Sequence, residues 1–106
     1  MCANILLIMT YPPHKATEIG EIFVKVSSNL PKMLKRVAGS PYASSTENGI
    51  TVYNLLKIKD EDLAEGIRQL TKYLSQYYIE GFRYRVEIVL PAAEALPLIG
   101  IKPPEL

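Results

Sequence analysis

His14 is the single histidine of the chain, in the stretch Tyr11–Pro12–Pro13–His14–Lys15 between an apolar run and a helical pattern. Imidazole titrates near neutral pH and serves as a general acid or base. A strand-to-helix junction also gathers free helix N–H groups, which favours an anion there, and two prolines stiffen the loop. Spacing assigns His14 neither a nucleophile nor a carboxylate partner. It is the candidate catalytic residue, set against the plainer reading of an exposed loop histidine.

Arg83 and Arg85 are two residues apart, which on a strand places both on one face. Two guanidinium groups so placed suit a carboxylate or phosphate held in bidentate fashion. Glu87 shares that face and offers a structural alternative, an ion pair on an edge strand whose charges block unwanted pairing. Seven tyrosines stand against two phenylalanines and no tryptophan. A tyrosine ring packs while its hydroxyl seeks a partner, so this bias suits rim and interface packing or a ligand pocket lined with hydroxyls. Tyr11 and Tyr53 are the candidates for such a pocket, together with Arg83 and Arg85 as ligand-binding residues. Lys32, Lys35 and Arg36 form a small basic cluster, read as a solvated face.

Other chemistries lack their residues. Cys2 is the only cysteine, so no disulfide forms within the chain and no Cys/His metal spacing exists. No metal and no cofactor are expected, and a reducing, cytoplasmic setting is. Twelve basic residues against eleven acidic ones leave a net charge of +1, without the footprint of a nucleic-acid or membrane binder. The Ile5–Met9 run is too short for a signal core or a membrane span. The Ser44–Gly49 segment has no phosphate-loop spacing.

The elements that must position these side chains follow from periodicity. Asn4–Tyr11 is apolar on both parities, as in a strand covered on both faces. His14–Asn29 carries Ile19, Ile22, Phe23, Val26 and Leu30 at helical spacing. Lys32–Tyr42 is a strand interrupted by Gly39 and Pro41, which marks an edge, and Ala43–Gly49 reads as a turn. Ile50–Ile58 is a strand with Ile50, Val52, Leu56 and Ile58 on one face and Tyr53 and Leu55 on the other. A second helix begins at Asp60 or Glu61, buries Leu63, Ile67, Leu70, Leu74 and Tyr77, and is expected to end near Gly81. Arg83–Leu90 alternates, with Tyr84, Val86, Ile88 and Leu90 inward.

The order β-α-β-β-α-β predicts an α+β fold of the ferredoxin-like kind: an antiparallel four-stranded sheet with two helices on one face and the first and third strands central. Residues 1–90 form one domain. Residues 91–106 form a proline-rich tail that packs on the domain or on a partner, with one helical turn at Ala92–Leu96. The uncovered face carries Tyr53 and Leu55 with either Ile5, Leu7 and Met9 or Leu6 and Ile8, a patch that calls for a partner. In element order, length and apolar open face, residues 3–90 resemble the dimeric α+β-barrel group of ferredoxin-like proteins. That resemblance implies a homodimer, with sheet facing sheet or with exchanged tails. It fixes no chemistry, because the fold hosts oxygenases, isomerases and non-catalytic proteins alike. The expectation is a small cytoplasmic homodimer that binds a small molecule or a protein in a regulatory role. Two alternatives stand beside it. One is a cofactor-independent oxygenase or isomerase with a pocket between sheet and helices, in which His14 moves protons, Arg85 holds an anion and Tyr53 orients the substrate; the other is a purely structural assembly subunit.

Overall fold

The computed structural model describes residues 2–37 and 39–104. The strand β1 (Cys2–Tyr11) leads through a single 3-10 turn, Pro13–Lys15, into α1 (Ala16–Val26). Two short strands follow, β2 (Lys35–Arg36) and β3 (Tyr42–Thr46), then the long β4 (Gly49–Lys59), α2 (Leu63–Leu74) and β5 (Arg83–Val89). A four-residue helix, α3 (Ala92–Ala95), and a 3-10 turn over Leu96–Ile99 close the order.

The sheet is antiparallel, with β1 between β4 and β5 and with β2 and β3 both pairing β4 on its far side. Ile5 faces Leu56 and Ile88, Leu7 faces Asn54 and Val86, and Met9 faces Val52 and Tyr84. Paired residues share a face, so this register puts Ile5, Leu7, Met9, Leu56 and Ile58 on one side of the sheet. There they join Ile19 and Val26 of α1 and Leu70, Tyr73 and Leu74 of α2 in a single buried cluster. Ile5, Leu56, Ile58, Leu70 and Leu74 are fully enclosed, and burying each side chain contributes about 1.5–3 kcal/mol. Position 66 shows how tightly α2 lies on β4: a Cβ there would run into the Cδ1 methyl of Ile58, so glycine permits the approach.

Tyr84, Ile88 and Leu90, expected inward, are exposed at the β5 edge of the sheet, and three further expectations need correction. The sheet has five strands rather than four, because the edge lane beside β4 is shared. The Val37 N–H donates to the Leu55 carbonyl at 2.9 Å, but the Leu55 N–H donates to the Ser40 Oγ at 3.0 Å, so a side chain replaces the backbone acceptor. Pro41, one step on, has no N–H to offer; the ladder stops after Arg36 and resumes at Tyr42. Second, the polar Ala43–Thr46 stretch is strand, and the turn is confined to Glu47–Asn48. Every residue of β3 is exposed, so neither face leaves an alternating signature. The Thr46 Oγ1 accepts the Asn48 N–H at 3.2 Å and fixes the turn. Third, α2 ends at Leu74, where the Ser75 N–H reaches the carbonyls of Thr71 and Lys72 at 3.2 Å. Tyr77 is buried from the turn beyond, and Gly81 shapes the reversal into β5, with the Phe82 N–H donating to the Ile79 carbonyl at 3.0 Å.

In the tail, the helical turn is present, and the 3-10 turn after it ends at Gly100 in the left-handed region. Leu98, Ile99 and Ile101 are exposed. The radius of gyration, 15.6 Å, exceeds the about 13 Å of a compact chain of roughly this length. Position 38 of the interrupted edge and the last two positions of the tail lie outside the described residues.

Candidate functional site

The sheet register separates the candidate residues. Residues 5, 7, 9 and 11 of β1 face the helices, and residues 4, 6, 8 and 10 face away. Tyr11 therefore lies on the helix side. Tyr53 pairs with Ile8 and with Tyr42, and Arg85 pairs with Ile8 from the other side, so Tyr42, Tyr53, Ile8 and Arg85 form one row across the open face. Arg83 ends the next row, beside Thr10 and Thr51. In the row on the other side, Leu55, Leu6 and Glu87 stand together. Leu6, Ile8 and Leu55 are half-buried and Tyr53 is exposed. The open face thus has an apolar middle framed by charge: Lys35 and Lys57 at one end, Arg83, Arg85 and Glu87 along the β5 edge. The Arg85 Nε stands 3.4 Å from the Glu87 Oε1, so this arginine is already engaged with a carboxylate of its own strand.

His14 occupies the 3-10 turn, which the Lys15 N–H closes onto the Pro12 carbonyl at 3.0 Å. The loop is clamped from outside. Gly81 has φ +88°, and a Cβ there would sit 2.7 Å from the Pro12 ring, so the reversal before β5 rests on the first proline. His14 itself is exposed, and among the described residues it takes part in no ion pair. The neighbouring Lys15 pairs with Glu18 at 3.5 Å. A general base needs an orienting partner and a substrate within reach. The structure brings Tyr53 and Arg85 into one row, with Arg83 next to it, and leaves Tyr11 on the other face and His14 beyond the strand end.

A pocket bordered by Tyr11 and Tyr53 was expected, and Tyr11 does line one, without Tyr53. An apolar cleft of about 190 Å³ opens between α1 and the strands, lined by Met9, Tyr11, Ile19, Phe23, Val52 and Tyr77 among others. Burial raises the Tyr11 hydroxyl above the ordinary phenol range. Tyr77 is raised more strongly, first by burial and then by its hydrogen bond with Tyr73; the nearby Arg36 opposes the shift. The two hydroxyls meet at 2.9 Å, and the Tyr77 ring stacks on Phe82 at a centroid separation of 5.1 Å. The cleft walls include no histidine, carboxylate, lysine or arginine, so the cleft has a shape for binding and no group that exchanges a proton near neutral pH. Close by on β4, the buried Asn54 carries an amide nitrogen without a partner among the described residues. Its signal in the sequence is a polar residue at an inward parity position of a strand. Of the cleft only Tyr11 was signalled, because the walls come from five separate stretches of chain.

Among the described residues no group of three or more histidine, cysteine or acidic side chains is placed to hold a metal, and no helix is long and apolar enough to cross a membrane. No protein-family model matches the chain, and no curated protein matches it. Solved structures are similar to it, among them the following three. A de novo designed protein, Foldit4, superposes with a TM-score of 0.51 at 9% identity, covering 85% of this chain and 97% of the designed one. The uncharacterized protein TM1266 from Thermotoga maritima gives 0.46 at 17% identity, over 85% of this chain and all of its own. The C-terminal domain of the MgtC protein from Mycobacterium tuberculosis gives 0.47 at 12% identity, over 80% and 87%. At 9% identity the likeness to the designed protein is one of fold alone, and the α+β architecture with its antiparallel sheet is read from the chain's own strands and helices.

Proposed function

We propose that this chain is a binding module of ferredoxin-like type that works as a homodimer, with a second copy covering the open sheet face. On this reading β2 and β3 are the two halves of one interrupted edge strand, which turns the five-stranded order into the four-lane arrangement. The observation that carries the reading is the apolar middle of the open face, Leu6, Ile8, Leu55 and Tyr53, inside a charged and polar frame. That is the anatomy of an interface, an apolar core with a polar rim. The size agrees. A ten-residue strand is about 33 Å long, and four lanes are about 19 Å wide. One face therefore offers about 600 Å² in projection, near the about 800 Å² per partner of a standard interface. The exposed Leu98, Ile99 and Ile101 of the tail supply further apolar surface.

The enzyme reading draws no support from the site geometry. The cleft between helix and sheet lacks proton-transfer groups, and His14 stands apart from Tyr53 and Arg85. Binding, rather than turnover, is what the arrangement favours. Light scattering at micromolar concentration should give twice the 11.9 kDa chain mass. Ile8→Glu should give a folded monomer, because Ile8 faces away from the core. A monomeric wild type, or an Ile8→Glu variant that stays dimeric, rejects the dimer.

A further inference from the structure

The basic cluster at Lys32, Lys35 and Arg36 does not stand alone in the fold. The end of β4 brings Lys57 and Lys59 beside it, and the five cations line one groove of about 470 Å³, with Asp62 as its only carboxylate. The groove thus carries a formal charge of +4. Since the whole chain carries +1, everything outside the groove sums to −3. The three ion pairs among the described residues involve none of these cations, although the Arg36 guanidinium lies over the Phe23 ring at 6.0 Å, which leaves the four lysines as the groove's free cations.

The strand register adds an independent observation. Lys35 and Lys57 are directly opposite one another on β2 and β4. Like charges in that relation destabilise a sheet, and position 57 is an exposed strand site that a threonine would fill without such repulsion. A lane already reduced to two paired residues keeps two lysines face to face. The half-buried Met33 gives the same groove an apolar edge, against which an organic ring can lie. The volume falls within the about 300–1,000 Å³ of small-molecule sites.

We propose that this groove binds a small organic molecule bearing two or more phosphate groups, of the nucleoside di- or triphosphate class, with Lys35 and Lys57 sharing the phosphates. The bound anion neutralises the repulsion between the two strands, so ligand and sheet edge stabilise each other. Concentrated positive charge on a chain of nearly balanced charge steers a compact anion to one place. The net negative charge elsewhere, −3, disfavours a long nucleic-acid strand that would have to cross it. This site does not depend on the dimer reading, and the oligomeric state is to be measured on the same samples so that either can fail alone.

The test is titration of the full chain with ATP and with tripolyphosphate at low ionic strength, followed by calorimetry and by thermal melting. Both probes should bind and raise the melting temperature, ATP more tightly because of the apolar edge. Binding should weaken steeply by physiological salt, about 0.15 M, where exposed charges more than about 8 Å apart are screened. The double variant Lys35→Gln/Lys57→Gln should bind at least about tenfold more weakly. Without ligand it should melt at the wild-type temperature or above, because the facing charges are gone. That rise or constancy separates a lost site from a lost fold, and Lys57→Thr alone should show it too. The proposal is overturned if neither probe binds at millimolar concentration, if the double variant binds undiminished, if it melts below wild type, or if an RNA oligonucleotide or an acidic peptide binds more tightly than ATP.

Discussion

Tyr73 and Tyr77 share a hydrogen bond of 2.9 Å between two rings that are each about 95% enclosed. Removing either hydroxyl leaves the other buried and unpaired, which costs about 1–3 kcal/mol, whereas removing both removes the demand along with the bond. Tyr73→Phe and Tyr77→Phe should therefore each lower the unfolding free energy by about 1–3 kcal/mol, and the double variant should recover most of the loss, as read from urea melts in a double-mutant cycle. Tyr77 also sets an alkaline limit. Tyr77 is held above the ordinary 10.0, so the folded chain keeps a proton that the unfolded chain gives up. Such a group lends its full stability below the unfolded value, and loses it as pH rises from there towards the folded one. Stability attributable to this site should be level up to about pH 9 and decline above about pH 10. The decline should be smaller in Tyr77→Phe. A Tyr77→Phe chain that falls away as steeply as wild type would remove Tyr77 as the cause.

Glycines show how an element depends on what it touches. Gly66 and Gly20 are both inside helices, where glycine costs up to about 1 kcal/mol relative to alanine. Gly66 repays that cost by letting α2 rest on Ile58, while a Cβ at Gly20 would meet nothing within 4 Å. Gly66→Ala should destabilise by about 1–3 kcal/mol through overpacking, and Gly20→Ala should stabilise by about 0.5–1 kcal/mol. Thermal melts of the two variants side by side decide it, and shifts of equal sign would contradict the packing described for α2. The same dependence explains what could be read beforehand. β4 showed its faces because one side of it meets the core, and alternation records that difference; β5 alternates as well, yet at the sheet edge Tyr84 and Ile88 stay exposed and only Val86 of its expected inward residues is half-buried. The open face was legible for the same reason: Tyr53 and Leu55 fell opposite Val52 and Leu56 by parity alone, and only the choice between Leu6–Ile8 and Ile5–Leu7–Met9 had to wait for the register. β3 is exposed on both sides, so its polar residues resemble a turn. The end of α2 was displaced because Tyr77 continues the apolar stripe while its backbone has already left the helix. The cleft and the basic groove depend on which distant segments become neighbours, Lys35 with Lys57 above all, and no local period encodes that.

At the scale of the whole molecule, the tail poses a question that the core does not answer. Leu98, Ile99 and Ile101 lie outside the buried cluster, yet their exposure resists solubility in a free monomer. If they complete the proposed dimer, deleting residues 91–106 removes interface and leaves the core untouched. The truncated chain should then remain folded, since every member of the buried cluster is retained, and its dimer should dissociate at a concentration at least about tenfold higher. The melting temperature of a protein that folds and dimerises rises with its concentration. The full chain should show this rise across the micromolar range. The truncated chain, mostly monomeric over the same range, should show little of it. Truncation that unfolds the chain at all concentrations would mean that the tail supports the monomer. Truncation that leaves the dimer as tight as before would mean that the sheet faces alone hold it, and that the three exposed tail residues serve some other contact.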